Sequence, residues 1–376
     1  MMQRLGDYIR PVDVRNRDLK VTRLLGVSIN KEFMPSIANI VGTDLSAYKV
    51  VYKGQFAYGP VTSRNGDKIS VALLREDDAI ISQAYEVFEI ADTNALDPEY
   101  LMMWFRRPEF DRYARFHSHG SAREVFDWDE MCEVQVPVPD IKEQRRIVAE
   151  YNTIQKRIAT NKKLIATLEQ IACAIYRKLF QENENAFKGK LGDLCKSFSG
   201  FPFDGEAYSE TDGVIALRGE NVTEQNLRWD TIKRYSGDIT DRIAKCYLQE
   251  WDVVIGMDGS KVGKNWSLVT EYDLPLLLAQ RVTRLRTDSI EKQLYLYMSL
   301  KMEKFSDYVA RVNTGSTILH ISGSQIEEFP IVIPTAEQFG ILKKEYIPLF
   351  TAIKLHNKEN QTLTQMQTLL LSKMGA

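Results

Sequence analysis

The stretch EQRRIVAEYNTIQKRIATNKKLIATLEQIACAIYRKLF, residues 143–180, decides the fold. It holds no proline or glycine, and one series of positions recurs at alternating steps of four and three: Ile147, Tyr151, Ile154, Ile158, Asn161, Ile165, Leu168, Ala172, Ile175 and Leu179. All but Asn161 are apolar. An a/d seam held over five heptads is the pattern of a coiled coil. At 1.5 Å per residue the helix is roughly 57 Å long. A small domain cannot cover such a rod, so it must pair along its length.

Residues 337–376 carry a partner seam: Leu342, Tyr346, Leu349, Ile353, His356, Asn360, Leu363, Gln367, Leu370 and Met374. Proline inside a helix removes a hydrogen bond and bends the axis, so Pro348 predicts a kink or a late start. If the two helices run antiparallel, seam residues whose numbers sum to 521 face each other. Asn161 then meets Asn360, Ile165 meets His356, Ile158 meets Leu363 and Leu168 meets Ile353. A buried polar pair fixes register at some cost in stability. A homodimeric zipper is the bland alternative for any long heptad.

A repeat favours pairing within the chain. Residues 1–140 hold 17 basic and 22 acidic groups, 141–190 hold 11 and 5, 191–336 hold 16 and 21, and 337–376 hold 5 and 3. Two acidic blocks thus alternate with two basic ones. Leu5-Gly6-Asp7 recurs as Leu191-Gly192-Asp193, Ala84–Ile90 as Ala279–Leu285, and Gly120-Ser121 as Gly315-Ser316. Val136–Pro139 followed by Glu143-Gln144 recurs as Ile331–Pro334 followed by Glu337-Gln338, and Tyr151 as Tyr346. The offset grows from 186 to 195, as loop insertions require. The expected division is a globular domain over 1–141, a central helix over 142–182, a second domain over 183–336 entered by a linker at 181–190, and a distal helix over 337–376.

Composition bounds the class. The chain has 376 residues, 44% hydrophobic and 27% charged, with formal charge −2, so no overall basicity points to nucleic acid. The longest strongly apolar run, Leu274–Ala279, is far short of a membrane span, and the N-terminus lacks the apolar core of a signal peptide. Cys132, Cys173, Cys195 and Cys246 form no Cys-x-x-Cys pair, which fits free thiols in the cytoplasm.

The two blocks read as α+β domains. Tyr48–Tyr52, Val71–Leu74 and Tyr85–Ile90 alternate like half-buried strands, with Asn65-Gly66 as a hairpin-type turn. Gly213–Leu217, Asp252–Ile255 and Val282–Leu285 do the same in the second block. One helix is expected from Pro98 through Arg107 to Phe116, and another over Ser289–Ala310. Catalytic motifs are missing. Gly256–Lys264 resembles a phosphate loop, but Asn265 follows Lys264 where Ser or Thr is required. Asp97-Pro98-Glu99-Tyr100 lacks the second proline of an amino-methyltransferase motif. His117 and His119 have no ligand spaced to complete a metal site.

What remains is polar loop chemistry suited to phosphates and base edges. In the first block the candidates are Arg64, Asn65, Lys68, Arg112, Arg115, His117, Ser118, His119 and Arg123. In the second they are Arg218, Asn221, Ser260, Lys261, Lys264, Asn265, Arg281, Thr314, Ser316, Thr317 and His320, with Ser322 and Ser324 in the same loop. Each alone is more simply a solvated turn; the argument rests on both loops recurring.

Pro-x-x-x-Glu-Gln-Arg-Arg-Ile-Val (Pro139 to Val148), opening a long heptad helix in a duplicated unit, resembles the DNA specificity subunit of type I restriction–modification systems. The loop Asp252–Ser260 and the segment Gly315–Ser322 are similar to that family's target recognition domains. The second copy departs from the motif, with Phe339-Gly340 in place of the basic pair. The resemblance implies two target recognition domains, each reading half of a bipartite site on double-stranded DNA, and a helix pair that fixes the gap. It also implies no cofactor on this chain. S-adenosylmethionine is expected on DNA-adenine methyltransferase subunits, and ATP on a restriction and translocase subunit. The competing readings are a coiled-coil scaffold that binds only protein, and a phosphate-ligand enzyme built on Gly256–Lys264.

Overall fold

The computed structural model describes residues 2–36, 42–63, 65–120, 123–182, 187–312 and 319–375. The chain divides into two compact units, Met1–Ala159 with Gln361–Ala376, and Thr160–Asn360. Both long helices are cut by this division.

In the first unit a four-stranded antiparallel sheet has the order Ile9–Val12, Glu86–Ile90, Phe56–Tyr58, Val71–Leu73. Successive side chains point to opposite faces. Phe56, Tyr58 and Phe88 enter an aromatic core with Phe105, Phe110 and Phe126. Ala57, Ala72 and Val87 enter a smaller aliphatic core with Leu25, Val51 and Ile81. The sheet is therefore covered on both faces, and Phe56–Tyr58 and Val71–Leu73 are fully buried rather than half-buried, while Glu86 and Glu89 of the neighbouring strand stay half-buried. Met2–Arg4 pairs with Gln135–Pro137, just ahead of the central helix.

The second unit repeats this plan. Its four-stranded sheet runs Ser197–Ser199, Val282–Leu285, Val253–Gly256, Trp266–Leu268, again antiparallel. Val253, Ile255 and Trp266 face a large core, and Val254 and Val282 a smaller one. Lys188–Lys190 pairs with Pro330–Val332 as Met2–Arg4 does with Gln135–Pro137. The expected linker thus contains a strand, because Gly189 and its neighbours find backbone partners there.

Two expected helices are each broken. Pro98–Phe105 and Pro108–Phe116 are separate, since Pro108 cannot continue a helix but suits a first turn. Asp97 caps the first of them, accepting from the Glu99 and Tyr100 amides. Ile290–Met302 and Phe305–Val312 are divided at Lys304, whose φ is +55°.

The central helix spans Ile141–Tyr176 and closes in a π-helical turn over Arg177–Gln181. The distal helix spans Ala336–Lys373 and runs through Pro348 rather than starting after it. Tyr346 and Phe350, buried on either side of the proline, hold that turn against the second unit's core. In this unit Asn161, 1% exposed, donates to Asn360 Oδ1 at 3.1 Å and to Glu359 Oε2 at 2.8 Å. The Tyr346 hydroxyl donates to the Ala172 carbonyl at 3.0 Å. The helices are antiparallel in the expected register. Ile165, Leu168, Ile353 and His356 are half-buried, and of the residues between them all but Lys354 are exposed, as a two-helix seam requires. His356 lies 3.6 Å from Glu359. Lys354, over the Trp251 ring, reaches Glu250 at 2.5 Å and Glu271 at 3.3 Å. Burial pushes its ammonium down, but the two carboxylates outweigh this and hold it above its ordinary value. In the first unit Ile147 and Tyr151 share the aromatic core with Leu371 and Met374, and Ile154, Ile158 and Leu363 continue the half-buried seam.

All four cysteines are free thiols. Burial pushes Cys195 up to about 12, which keeps it protonated and inert.

Candidate DNA interface

The site is built where a sheet hairpin meets the chain emerging from a helix. In the second unit the hairpin joins Val253–Gly256 to Trp266–Leu268. Its turn is closed by the Val262 amide donating to the Gly259 carbonyl and the Lys264 amide to that of Lys261. Gly263, at φ +84°, leaves no room for a Cβ, which would lie 2.8 Å from Val309. The turn therefore sits hard against helix Phe305–Val312. The Ile321 amide donates to the Met257 carbonyl, and the His320 imidazole pairs with Asp258. Arg281, at φ +66°, sets its guanidinium 3.4 Å from the other Asp258 oxygen. Lys261 lies 3.3 Å from Glu224. Ser260, Lys261, Lys264, Arg281 and His320 are all exposed. The hairpin, the residue before Val282 and the post-helix segment thus converge on one carboxylate, Asp258.

The first unit builds the same junction. The Phe126 amide donates to the Pro60 carbonyl, matching Ile321 and Met257, and His119 and Val61 both bridge to Val125. The Thr62 hydroxyl donates to the Ser118 hydroxyl at 2.9 Å, which in turn donates to the Ala114 carbonyl at 2.6 Å. Gly120 sits at φ +129°, and a Cβ there would fall 2.2 Å from the Arg123 carbonyl oxygen. Asp127 caps the next helix through the Glu130 amide, as Ser322 does through the Gln325 amide. Those two caps are 195 residues apart, the offset of the repeat.

Four groups on this face are held by acids. Arg112 lies 3.2 Å from Glu109, and Arg115 pairs with Glu124. His117 and His119 share Glu130 at 3.0 and 3.5 Å. Beneath them Lys31 is buried 2.6 Å from Asp111, which also accepts from the Ile69 amide. Burial pushes the Lys31 ammonium below its ordinary value despite that carboxylate. Lys68 and Arg123 are exposed, and Asn65 is half-buried, its amide bonded to the Thr62 carbonyl.

Three expected surface residues do other work. Asn221 is 1% exposed and spends its side chain on the Arg218 amide and the Arg228 and Thr231 carbonyls, so it organises a turn. Ser322 is a helix cap. Asn265 turns its Oδ1 inward, where no described residue bonds it. Arg218 is half-buried, paired with Glu220 and 6.0 Å from the Tyr208 ring. Arg64, Thr314, Ser316 and Thr317 lie outside the described residues. Sequence reasoning passed over the acids Asp258, Glu124 and Glu130, which order the cations. Their signal was present only for Glu130, three residues after the capping Asp127.

The profile of the type I restriction modification DNA specificity domain matches residues 30–170 and 183–365. The chain belongs to that family: it is a specificity subunit, the component that recognises DNA rather than a catalytic one. It is 21% identical over 426 aligned positions to the HindI specificity subunit of Haemophilus influenzae, covering 93% of this chain and 92% of that one. It is 21% identical to the MjaVIII specificity subunit of Methanocaldococcus jannaschii over 259 positions, 64% of this chain and 60% of the relative's length. The crystal structure of the S subunit of a type I system from M. genitalium superposes with TM-score 0.64 at 14% identity, covering all of this chain and 95% of that one. That likeness concerns the fold. Among the described residues no helix is long and apolar enough to cross a membrane.

Proposed function

We propose that each unit reads one half of a bipartite site on double-stranded DNA, and that the paired helices set the number of base pairs between the halves. The observation that carries this reading is the repeated junction. The same hairpin, post-helix segment and helix cap recur at offsets of 195 to 197, and the two junctions present exposed cations and hydroxyls. Side chains at base edges supply sequence preference, and Lys and Arg at phosphates supply affinity and register. Two look-alike readers on a stiff spacer give a fixed half-site separation. The basic stretches on the helices dock DNA-adenine methyltransferase subunits. Those subunits bind S-adenosylmethionine and extrude the target adenine, while a restriction and translocase subunit consumes ATP. The complex works in the cytoplasm.

Methylome sequencing of cells with and without the gene tests this. A single bipartite adenine-methylation motif that disappears on deletion is the expected result. An unchanged methylome, together with binding of the assembled complex to random DNA without sequence preference, supports the scaffold reading instead.

A further inference from the structure

The helix Pro108–Phe116 buries Phe110 and Ala114, and Phe116 falls off that face, six positions on from Phe110. It is 82% exposed, the most exposed of the large apolar side chains among the described residues. A single exposed apolar residue is ordinary; the support behind this one is not. The Tyr113 and His117 rings stack at 4.2 Å, and the His117 and Phe116 rings meet edge to face at 5.2 Å. His117 is anchored 3.0 Å from Glu130, and Ser118 next to it is bonded to Thr62 of the hairpin. The ring is thus braced beside the candidate interface, next to Arg115 and two residues from Ser118.

The second unit has a different group in this place. At the offset of 195, Phe110 corresponds to Phe305 and Ala114 to Val309, both pairs buried, and Phe116 corresponds to Arg311. Arg311 is exposed and has no ion-pair partner among the described residues. Where the first unit has spent Arg112, Arg115 and both histidines on carboxylates, it offers a bare ring. Where the second offers a bare ring's counterpart, it is a cation.

Resting on the DNA-reading proposal above, we propose that Phe116 is a specificity-determining wedge that stacks against an opened base step in the half-site read by the first unit, while Arg311 contacts phosphate at the equivalent place in the other. A protein anchor would sit in an apolar surround, but the ring that meets Phe116 is His117, and Arg112, Arg115 and His119 flank it in the sequence. A ring among cations suits a base beside its phosphates, where apolar side chains unstack steps and rings stack on bases.

The test uses the assembled complex with its methyltransferase subunits and a duplex carrying the motif found by methylome sequencing, with 2-aminopurine placed at successive steps. The wild type should raise fluorescence at one step of one half-site, and Phe116→Trp should keep the rise. Phe116→Ala should abolish it and weaken binding on the order of 10-fold, with an unchanged salt slope and unchanged thermal unfolding. Arg311→Ala should instead flatten the salt slope by about one contact. Phe116→Ala that keeps both the rise and an affinity within about twofold overturns the wedge, as does a variant that fails to assemble with the methyltransferase. A wild-type complex with no sequence preference overturns the DNA-reading proposal itself, a result distinct from either.

Discussion

The two helix starts carry the same Glu-Gln pair and use it differently. In the first unit Gln144 is fully buried. It accepts from the Asp97 amide at 2.8 Å and donates to the Ala95 and Pro139 carbonyls at 2.9 and 2.8 Å. One side chain thereby ties the central helix to the cap of helix Pro98–Phe105. In the second unit Gln338 is half-buried; it accepts from the amide of exposed Thr335 at 2.9 Å and donates to the Leu179 carbonyl at 3.0 Å, joining one long helix to the other. The capping residue changes too, from Asp140 to Thr335. The faces place paired and unpaired cations differently: in the first unit Arg112, Arg115, His117 and His119 are held by acids while Lys68 and Arg123 have no ion pair among the described residues, and in the second Lys261, Arg281 and His320 are held while Lys264 and Arg311 are not. Backbone junctions and caps are what the repeat conserves between its copies, and the exposed chemistry is what it varies. That division suits the proposed reading of two unlike half-sites.

The difference can be broken most sharply at the helix starts. Gln144→Ala strands a buried amide and two buried carbonyls and should cost about 3 kcal/mol, whereas Gln338→Ala should cost about 1 kcal/mol. Urea unfolding of both variants checks this, and equal losses would erase the distinction between a domain lock and a helix clasp. A smaller effect is expected at the seam. Asn161→Leu should change stability by less than about 1 kcal/mol yet relax the register. Disulfide mapping between cysteines placed at Ile165 and His356, and one heptad to either side, should then show several pairings in place of one. The smallest effects lie on the faces. Lys264→Ala should flatten the salt dependence of DNA binding by about one contact, while Arg112→Ala, already paired with Glu109, should leave it nearly unchanged.

The large features were legible because they rest on periodicity. The seam positions and the sum of 521 located the Asn161–Asn360 contact, and the paired Ala84–Ile90 and Ala279–Leu285 segments occupy one place in the two sheets. Local chemistry misled where a polar side chain had two possible uses. Asn221, Ser322 and Asn265 look like surface donors in a string of letters, but in the fold a turn or a cap claims them or burial withdraws them. Strand burial was misjudged for a related reason. Val71–Leu73 reads as one-sided until a second small core covers its other face. The acids at Asp258 and Glu124 meet their cations only through tertiary contacts, so no spacing announces them.

One consequence follows from Met374 lying in the first unit's aromatic core, beside Tyr151 and Leu371. During synthesis that core has a gap which is filled only after all of residues 160–360 have left the ribosome. The second unit is contiguous and can complete itself first, so the segment made earliest is finished last. A nascent chain stalled before Gln361 should carry one mature half and one still open to proteases.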